Sequence, residues 1–216
     1  MNIFANFSTL NLRTMRKGKK TELKILNAAA ELFVEKGIDR TTVRDISSRA
    51  GINLALMNYH FETKENLCDA VFDMVLKKST EKLVKILDSN LTLEAKLKKY
   101  VDAYFDLLWD SPFLVSFVLE MIQRSKEHVL KIEGAFTLYS TPVFSQQIED
   151  EIKKGNIRPV HPSQIFVDLQ SLISFPFGIK LLIQNKLNLD DDGIKAFLND
   201  RKKHIPEMIM AYLKAK

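Results

Sequence analysis

The stretch GIDRTTVRDISSRAGINLALMNYHFETKENL, residues 37–67, decides how this chain folds. Its apolar residues fall at helical spacing in two short runs that Gly51 separates. Thr42, with an aspartate three residues later, forms a capping-box pattern for the first run; Thr41 is the other candidate cap, and Asn53 can cap the second run. Two short helices joined by a tight turn that contains glycine predict a helix-turn-helix.

A longer helix precedes this stretch, and only helices are predicted after it. Residues 21–36 carry apolar side chains at helical spacing, and Gly37 ends that helix. The later amphipathic segments are 64–88, 93–109, 112–126, 128–154, 163–186 and 192–214. Three of them contain a proline that should kink or split the helix: Pro142, Pro176 and Pro206. The predicted fold is all-α, an N-terminal three-helix domain plus a larger C-terminal helical bundle, with about nine helices in total.

The charge of the chain is concentrated at its N-terminal end. The 216 residues are 46% hydrophobic and 27% charged, which is ordinary globular composition, and their net charge is +5. Residues 1–64 hold 11 Lys and Arg against 6 Asp and Glu, so the whole excess lies there. Residues 1–20 are expected to form a flexible basic arm. A basic end joined to a neutral body indicates contact with a polyanion; a solvated tail is the alternative.

Several classes of protein are excluded by the same sequence. Cys68 alone cannot form an internal disulfide or a thiolate metal cluster, and no uncharged apolar run approaches the ~20 residues of a transmembrane helix. The N-terminal apolar residues precede the basic cluster, the reverse of a signal peptide. No H-E-x-x-H, P-loop or G-x-S-x-G motif occurs, so we expect no enzyme, cofactor or metal site, and a cytoplasmic location. Either Met1 or Met15 can be the start.

The order of residues around this stretch resembles the TetR family of bacterial transcriptional regulators. The matching features are Phe33, Lys36-Gly37, Thr41-Thr42-Val43, Ile46, Ala50-Gly51-Ile52, Met57, Tyr59-His60-Phe61, Lys64-Glu65 and Leu67. The resemblance implies a DNA-binding domain over residues 21–66 and a ligand-binding and dimerisation domain over 67–216. It implies a ligand-responsive regulator, usually a repressor, that binds a palindromic operator as a homodimer and is released by a small molecule. A transcriptional activator of the same fold and a helical ligand-binding protein without DNA binding are the alternatives.

The resemblance also implies which side chains contact DNA. Arg44 matches a base-contacting position, where a guanidinium can bond guanine O6 and N7; a surface cap or salt bridge is the alternative. Contacts to the DNA backbone are implied for Thr42, Tyr59, His60 and Lys64, and a base or phosphate contact for Asn53. For Thr42 and Asn53 a plain N-cap is the other interpretation, and for His60 a hydrogen bond at the helix end. The third helix, about residues 53–59, would lie in the major groove, with Leu54, Ala55 and Asn58 in the predicted contact set.

Three positions of the third helix depart from the family pattern. Leu54 and Leu56 occupy positions that are often polar in the family, and leucine can only pack against a thymine methyl or a sugar. For Leu56, partial burial is the alternative. Asn58 stands where the family often has tyrosine and could read adenine or bind phosphate. The predicted core of this region is Ile52, Met57 and Phe61.

The C-terminal body is rich in aromatic residues, which indicate either an apolar pocket between helices or ordinary core packing. They are Tyr104, Phe105, Trp109, Phe113, Phe117, Phe136, Tyr139, Phe144, Phe166, Phe175 and Phe177. No motif identifies the residues of a ligand pocket. The last two helices are expected to pair with those of the dimer mate as a four-helix bundle. A stripe of small residues could permit close approach there, or accompany the proline kink: Ser171, Ser174 and Gly178.

Overall fold

The structure is a computed structural model that describes residues 17–111, 114–124 and 141–214. These ranges hold ten α-helices and no strand, which confirms the all-α prediction. In chain order the helices are α1 (Lys17–Lys36), α2 (Val43–Ala50), α3 (Leu54–His60), α4 (Lys64–Leu87), α5 (Leu93–Asp110), α6 (Leu114–Arg124), α7 (Pro142–Lys153), α8 (Pro162–Gly178), α9 (Lys180–Leu187) and α10 (Asp191–Lys214).

The chain divides into two compact units. The head unit comprises the described residues of Met1–Lys77 and Ser116–Val129, and the body unit those of Lys78–Val115 and Leu130–Lys216. The domain boundaries after residues 20 and 66, which come from the sequence pattern, stay a prediction.

The head unit has a small apolar core. Its buried side chains include Ile25, Ala29, Phe33, Ile46, Met57 and Leu67. Phe117 of α6 stacks on Phe33 with ring centroids 6.5 Å apart, and it meets Phe72 of α4 edge to face at 6.1 Å. Helices of eight and seven residues, such as α2 and α3, are not stable alone in water. Their buried residues on this core therefore hold them in place.

The body unit is built around α5, which packs against α8 and α10. Fully buried side chains from the three helices include Leu97, Tyr100, Phe105, Leu169, Ile173, Leu198 and Ile205. One charged group lies among them. The Nζ of Lys96 is buried and donates to the Leu87 carbonyl at the end of α4, at 2.6 Å, and burial lowers the pKa of this lysine.

The predicted break at Pro142 is confirmed, because a helix begins at this residue and Thr141 before it is not helical. Pro142 is the first residue of α7, where its missing N–H costs no hydrogen bond and its fixed φ suits the helix. The Thr141 hydroxyl caps this end by accepting from the Phe144 amide at 3.1 Å. Residues 128–140 of the predicted helix 128–154 lie outside the described residues.

The other two prolines have different effects. Pro176 lies inside α8, which ends two residues later at Gly178, and α9 then leaves at an angle of 65°. The predicted split of the segment 163–186 is thereby confirmed. Pro206 lies inside α10, which continues through it from Asp191 to Lys214 because the turns on both sides are anchored in the core by Ile205 and Ile209.

Among the described residues, no single helix has both the length and the apolar composition that crossing a membrane requires. The pair α8 and α9 meets that test only when taken together, across their 65° bend.

Candidate nucleic-acid interface

The N-terminus of α2 is closed by a complete capping box. The Asp45 amide donates to the Thr42 hydroxyl at 3.1 Å, while Asp45 Oδ2 accepts from the Thr42 amide at 2.9 Å and from its hydroxyl at 2.8 Å. Thr42 is therefore the cap. Thr41, the other candidate, is buried, and its hydroxyl donates to the Gly37 carbonyl at 2.7 Å. Both side-chain and backbone donors of Thr42 are engaged by Asp45 in this structure.

The turn between α2 and α3 follows the sequence closely. Gly51 adopts φ +66°, a left-handed conformation that a side chain would strain, and its amide bonds the Ser48 carbonyl at 3.2 Å. Ile52 then donates to the Ser47 carbonyl at 3.0 Å. The Asn53 side chain accepts from the Leu56 amide at 2.7 Å, which confirms Asn53 as the cap of α3.

Helix α3 presents most of its surface outward. Among its seven residues only Met57 is buried. Leu54 and Leu56 are 39% and 37% exposed, and Tyr59 is 82% exposed. The remaining outward positions of the predicted set are also exposed: Ala55 and Asn58. A short helix with one buried residue and an exposed apolar and aromatic face indicates a surface that binds another molecule.

The C-terminal end of α3 brings two predicted contact residues together. The rings of Tyr59 and His60 lie edge to face with centroids 5.5 Å apart, and His60 is half-buried. The prediction that Ile52, Met57 and Phe61 are all core holds only for Met57, since Ile52 and Phe61 are half-buried. Both flank α3, where the chain turns and one side of each residue stays open.

Two basic side chains of this region are held by acidic partners that sequence reasoning missed. Arg49 of α2 pairs with Glu35 at 2.8 Å and Glu31 at 3.2 Å, both on α1. Lys36 pairs with Asp45 at 2.9 Å. These contacts tie α2 to α1. The sequence shows that the two glutamates are spaced i, i+4 and so lie on one face of α1. This spacing does not identify Arg49 on another helix as their partner.

Arg44 differs from these two cations. It lies on α2 and is exposed, and among the residues that the structure describes it has no ion pair. The alternative of a salt-bridging role for Arg44 has no support there. Its guanidinium thus keeps its five N–H donors for an external partner.

Lys64 is the first residue of α4 and is half-buried. The residue before it, Thr63, accepts from the Asn66 amide at 3.0 Å and caps the helix. Sequence reasoning missed Thr63, although a threonine directly before a predicted helix is a usual start signal. The cap places Lys64 in the first turn of α4, four residues after His60.

The loop after α1 is tied to α6 within the head unit. The Arg124 guanidinium donates to the Asp39 carboxylate and, at 3.1 Å, to Glu120, and the bond from Arg124 holds the pKa of Asp39 below its ordinary value. The partners are 85 residues apart in the chain, so no local pattern could predict the pair.

The described aromatic residues of the body unit mostly form core. Five are buried: Tyr100, Phe105, Phe144, Phe166 and Phe177. Trp109 meets Phe177 edge to face at 5.3 Å, and the Tyr104 and Ser174 hydroxyls lie 3.1 Å apart. Three are exposed: Phe175 at 64%, Tyr212 at 48% and Phe197 at 38%. Three candidates lie outside the described residues: Phe113, Phe136 and Tyr139. The residues of a ligand pocket are not identified by this packing.

The geometry of the head unit defines a class of protein: a helix-turn-helix with an exposed second helix, the arrangement of DNA-binding regulators. Two family models match the chain. One, described as "Bacterial regulatory proteins, tetR family", matches residues 25–71, and the other, "Tetracyclin repressor-like, C-terminal domain", matches residues 90–216. The second covers more than half of the chain, which therefore belongs to the TetR family of transcriptional regulators.

Known relatives agree with this assignment. The HTH-type transcriptional repressor KstR2 of Rhodococcus jostii is 42% identical over 84 residues, which are 37% of this chain and 40% of KstR2. IcaR, the negative regulator of the icaADBC biofilm operon of Staphylococcus epidermidis, is 27% identical over 154 residues, 70% of this chain and 75% of IcaR. Both are named as transcriptional regulators, not as enzymes.

A solved structure shares the fold. FadR from Bacillus subtilis, a transcriptional regulator in complex with stearoyl-CoA, has a TM-score of 0.64 and 18% identity, covering 89% of this chain and 99% of FadR. The similarity of fold to FadR includes both the head unit and the body unit.

Proposed function

We propose that this chain is a cytoplasmic homodimeric repressor that binds a palindromic operator in double-stranded DNA and leaves it when a small molecule binds. The observation that carries the proposal is the surface of α3, where only Met57 is buried and Tyr59 is 82% exposed. Hydrating such an apolar and aromatic face is unfavourable unless a partner covers it. The major groove is wide enough to receive a helix of this kind.

Base reading is assigned to α2 and α3. Arg44 can bond guanine O6 and N7 in two places, and the Asn58 amide can bond adenine N6 and N7 in the same way. Leu54 and Ala55 offer only apolar surface, which suits a thymine methyl group. All four side chains are exposed, so no rearrangement of the core is needed for them to reach a base edge.

Phosphate contacts are assigned to the residues that flank these helices. The Tyr59 hydroxyl, a His60 ring N–H and the Lys64 ammonium are suitable donors to phosphate oxygens. Asn53 serves first as the cap of α3, and its exposed amide keeps donors for DNA. Thr42 is exposed at the end of α2, but its donors are shared with Asp45.

Dimerisation is assigned to the outer face of α8, α9 and α10. Exposed apolar side chains concentrate on these helices: Val167, Phe175, Leu181, Leu182, Leu187, Phe197, Met208 and Tyr212. Ser171 is exposed as well, whereas Ser174 is half-buried next to the Tyr104 hydroxyl, so the small-residue stripe only partly faces outward. A second copy covering this face would bury apolar area that a monomer leaves in water.

Repression rather than activation is proposed because KstR2 and IcaR are named as a repressor and a negative regulator. A reporter gene placed behind the promoter upstream of this protein's own gene tests this. We expect lower expression when the protein is present and recovery when Arg44 is changed to Ala. Raised expression would establish an activator, and unchanged expression would favour a helical ligand-binding protein without DNA binding.

The small-molecule effector is the remaining partner. FadR is a solved structure with stearoyl-CoA bound, so fatty acyl-CoA thioesters are the first class to test on the purified protein. A ligand at 100 times its Kd adds about 2.7 kcal/mol of stability, which should raise Tm by roughly 5–10 °C. An unchanged Tm with acyl chains of all lengths would exclude this class of effector.

A further inference from the structure

Asp45 places a carboxylate in the first turn of α2, at the N-terminus of the helix. One carboxylate oxygen, Oδ2, accepts from the Thr42 amide at 2.9 Å, from the Thr42 hydroxyl at 2.8 Å and from Lys36 Nζ at 2.9 Å. Helix N-termini attract anions through their unpaired amides and their dipole. Here the anion is supplied by the protein itself.

The carboxylate is charged under all conditions in which DNA binding is measured. The hydrogen bond from the Thr42 amide is the largest cause, followed by the bond from Lys36, and together they lower the pKa of Asp45 to about 2. The side chains of Lys36 and Asp45 are each 37% exposed, so this ion pair lies at the surface and not in the core. Asp45 directly follows Arg44, the proposed base-reading residue, in the chain.

We infer that Asp45 is a specificity-determining residue, which withholds the Thr42 donors and the Lys36 ammonium from the DNA backbone. The inference rests on the proposed function. Phosphate contacts give affinity for any sequence, whereas base contacts give affinity for one. A carboxylate that repels phosphate and holds a neighbouring cation lowers affinity for all DNA alike. Binding then depends more on the base contacts of Arg44 and α3.

The test compares four full-length proteins: wild type, D45N, K36M and the double variant. Their affinities are measured for DNA from upstream of the protein's own gene and for a random duplex, over a series of salt concentrations. Asparagine keeps an oxygen that can accept from Thr42 but loses the charge that holds Lys36. In D45N we expect affinity for the random duplex to rise roughly three- to tenfold at low salt, with a salt slope steeper by about 0.9 for each additional phosphate that the protein neutralises. Affinity for the upstream DNA should rise less, so the specificity ratio falls.

The Lys36 variants test whether this cation is held away from DNA. K36M alone should change either affinity by about twofold or less, because Asp45 already engages the ammonium. In the D45N background the same change should remove most of the increase in affinity. A loss of more than about fivefold for K36M alone would mean that Lys36 already reaches DNA, and would overturn the inference.

The matched control is E22Q, which removes the same charge from an exposed position of α1. It should leave the specificity ratio unchanged. If D45N folds as judged by circular dichroism but binds the random duplex no better than wild type or E22Q, the inference is wrong and Asp45 is only a helix cap. A wild-type protein with no preference for its upstream DNA would instead contradict the proposed function.

Discussion

Arg44 and Arg49 carry the same charge on the same short helix but have different surroundings. Arg49 is clamped by Glu31 and Glu35 of α1, whereas Arg44 is exposed and has no ion pair among the described residues. An exposed ion pair stabilises a protein by about 0–1 kcal/mol, so the role of Arg49 is local. On α2, Arg44 is the cation left for the DNA contact that we propose.

Replacing Arg44 by Ala should weaken binding to the upstream DNA by about 1–3 kcal/mol, because two bonds to a guanine edge are lost. Binding to a random duplex should weaken less. Arg49→Ala removes the same charge and is the matched control, which should have the smaller effect on the specificity ratio. Fluorescence anisotropy measures the affinity of each variant for both DNAs. Equal losses of affinity for the upstream DNA and the random duplex in Arg44→Ala would refute base reading at this position.

Asp45 also predicts the acid sensitivity of the protein. Its pKa is lowered from 3.8 to about 2 in the folded state, so its ionised form contributes stability above its ordinary pKa. That contribution is lost as the pH falls through about 2. The Tm of the wild type should therefore fall more steeply than that of D45N between about pH 4 and pH 2. Parallel Tm curves for the two proteins would show that the ion pair adds nothing to stability.

For single residues, the sequence predicted the features that depend on near neighbours in the chain, such as helix caps. Thr42 and Asn53 were named as candidate caps because a side-chain oxygen at the N-cap accepts from the free amide three residues later. Ile52 and Phe61 were predicted as core, but the chain turns on either side of α3 leave them half-buried. The partners of Arg49 and Asp39 depend on tertiary packing, which a local pattern does not contain.

The turn between α2 and α3 sets the orientation of α3, whose exposed face is proposed to contact DNA. Gly51 supplies its left-handed residue at φ +66°, and an added Cβ there would meet no atom within 4 Å. The cost of replacing this glycine is thus backbone strain alone. The same reasoning made the turn predictable, since glycine is the residue that tolerates such a conformation.

Gly51→Ala should destabilise the protein by about 1 kcal/mol, through strain in the left-handed region. Gly18→Ala is the control, because Gly18 lies in the first turn of α1, is not among the glycines with positive φ and has equal space around it. That change should be neutral or slightly stabilising. Urea denaturation measures both, and equal stabilities for the two variants would contradict a strained turn.

The prolines show how well the sequence predicted where the long helical segments break. Pro176 correctly indicated that the segment 163–186 is not one helix, although the break falls three residues later, at Ile179. Pro142 also marks a break in its predicted segment, 128–154, and there it is the first residue of a helix. Thr141 caps that helix, and threonine followed by proline is a usual start signal.

At the scale of the whole molecule, the charge asymmetry and the exposed apolar face are the two informative features. The +5 charge of residues 1–64 was visible in the sequence and agrees with a head that binds DNA. For the proposed dimer face, the sequence predicted only which pair of helices forms it. Which side chains lie outward, such as Phe175 and Leu181, depends on how α8 and α10 pack on α5.

Phe175→Asp should convert the dimer into a folded monomer, because it places a charge in the proposed apolar interface. Leu119→Asp, at a 53% exposed position of α6, is the matched control and should stay dimeric. Deleting residues 192–216 is a poorer test, since it removes the buried Ile194, Leu198 and Ile205. Light scattering gives the mass, and a Phe175→Asp protein that remains a dimer would exclude this face as the interface.

The central claim is that the head unit binds DNA and reads its sequence. The most direct test is a titration of the wild-type protein with its own upstream DNA and with a random duplex from 50 to 200 mM salt. With 6–10 phosphate contacts per complex, affinity should fall by about 10³–10⁵ over that range, and the upstream DNA should be preferred at every salt concentration. No preference for the upstream DNA, or an affinity that does not change with salt, would contradict DNA reading by the head unit.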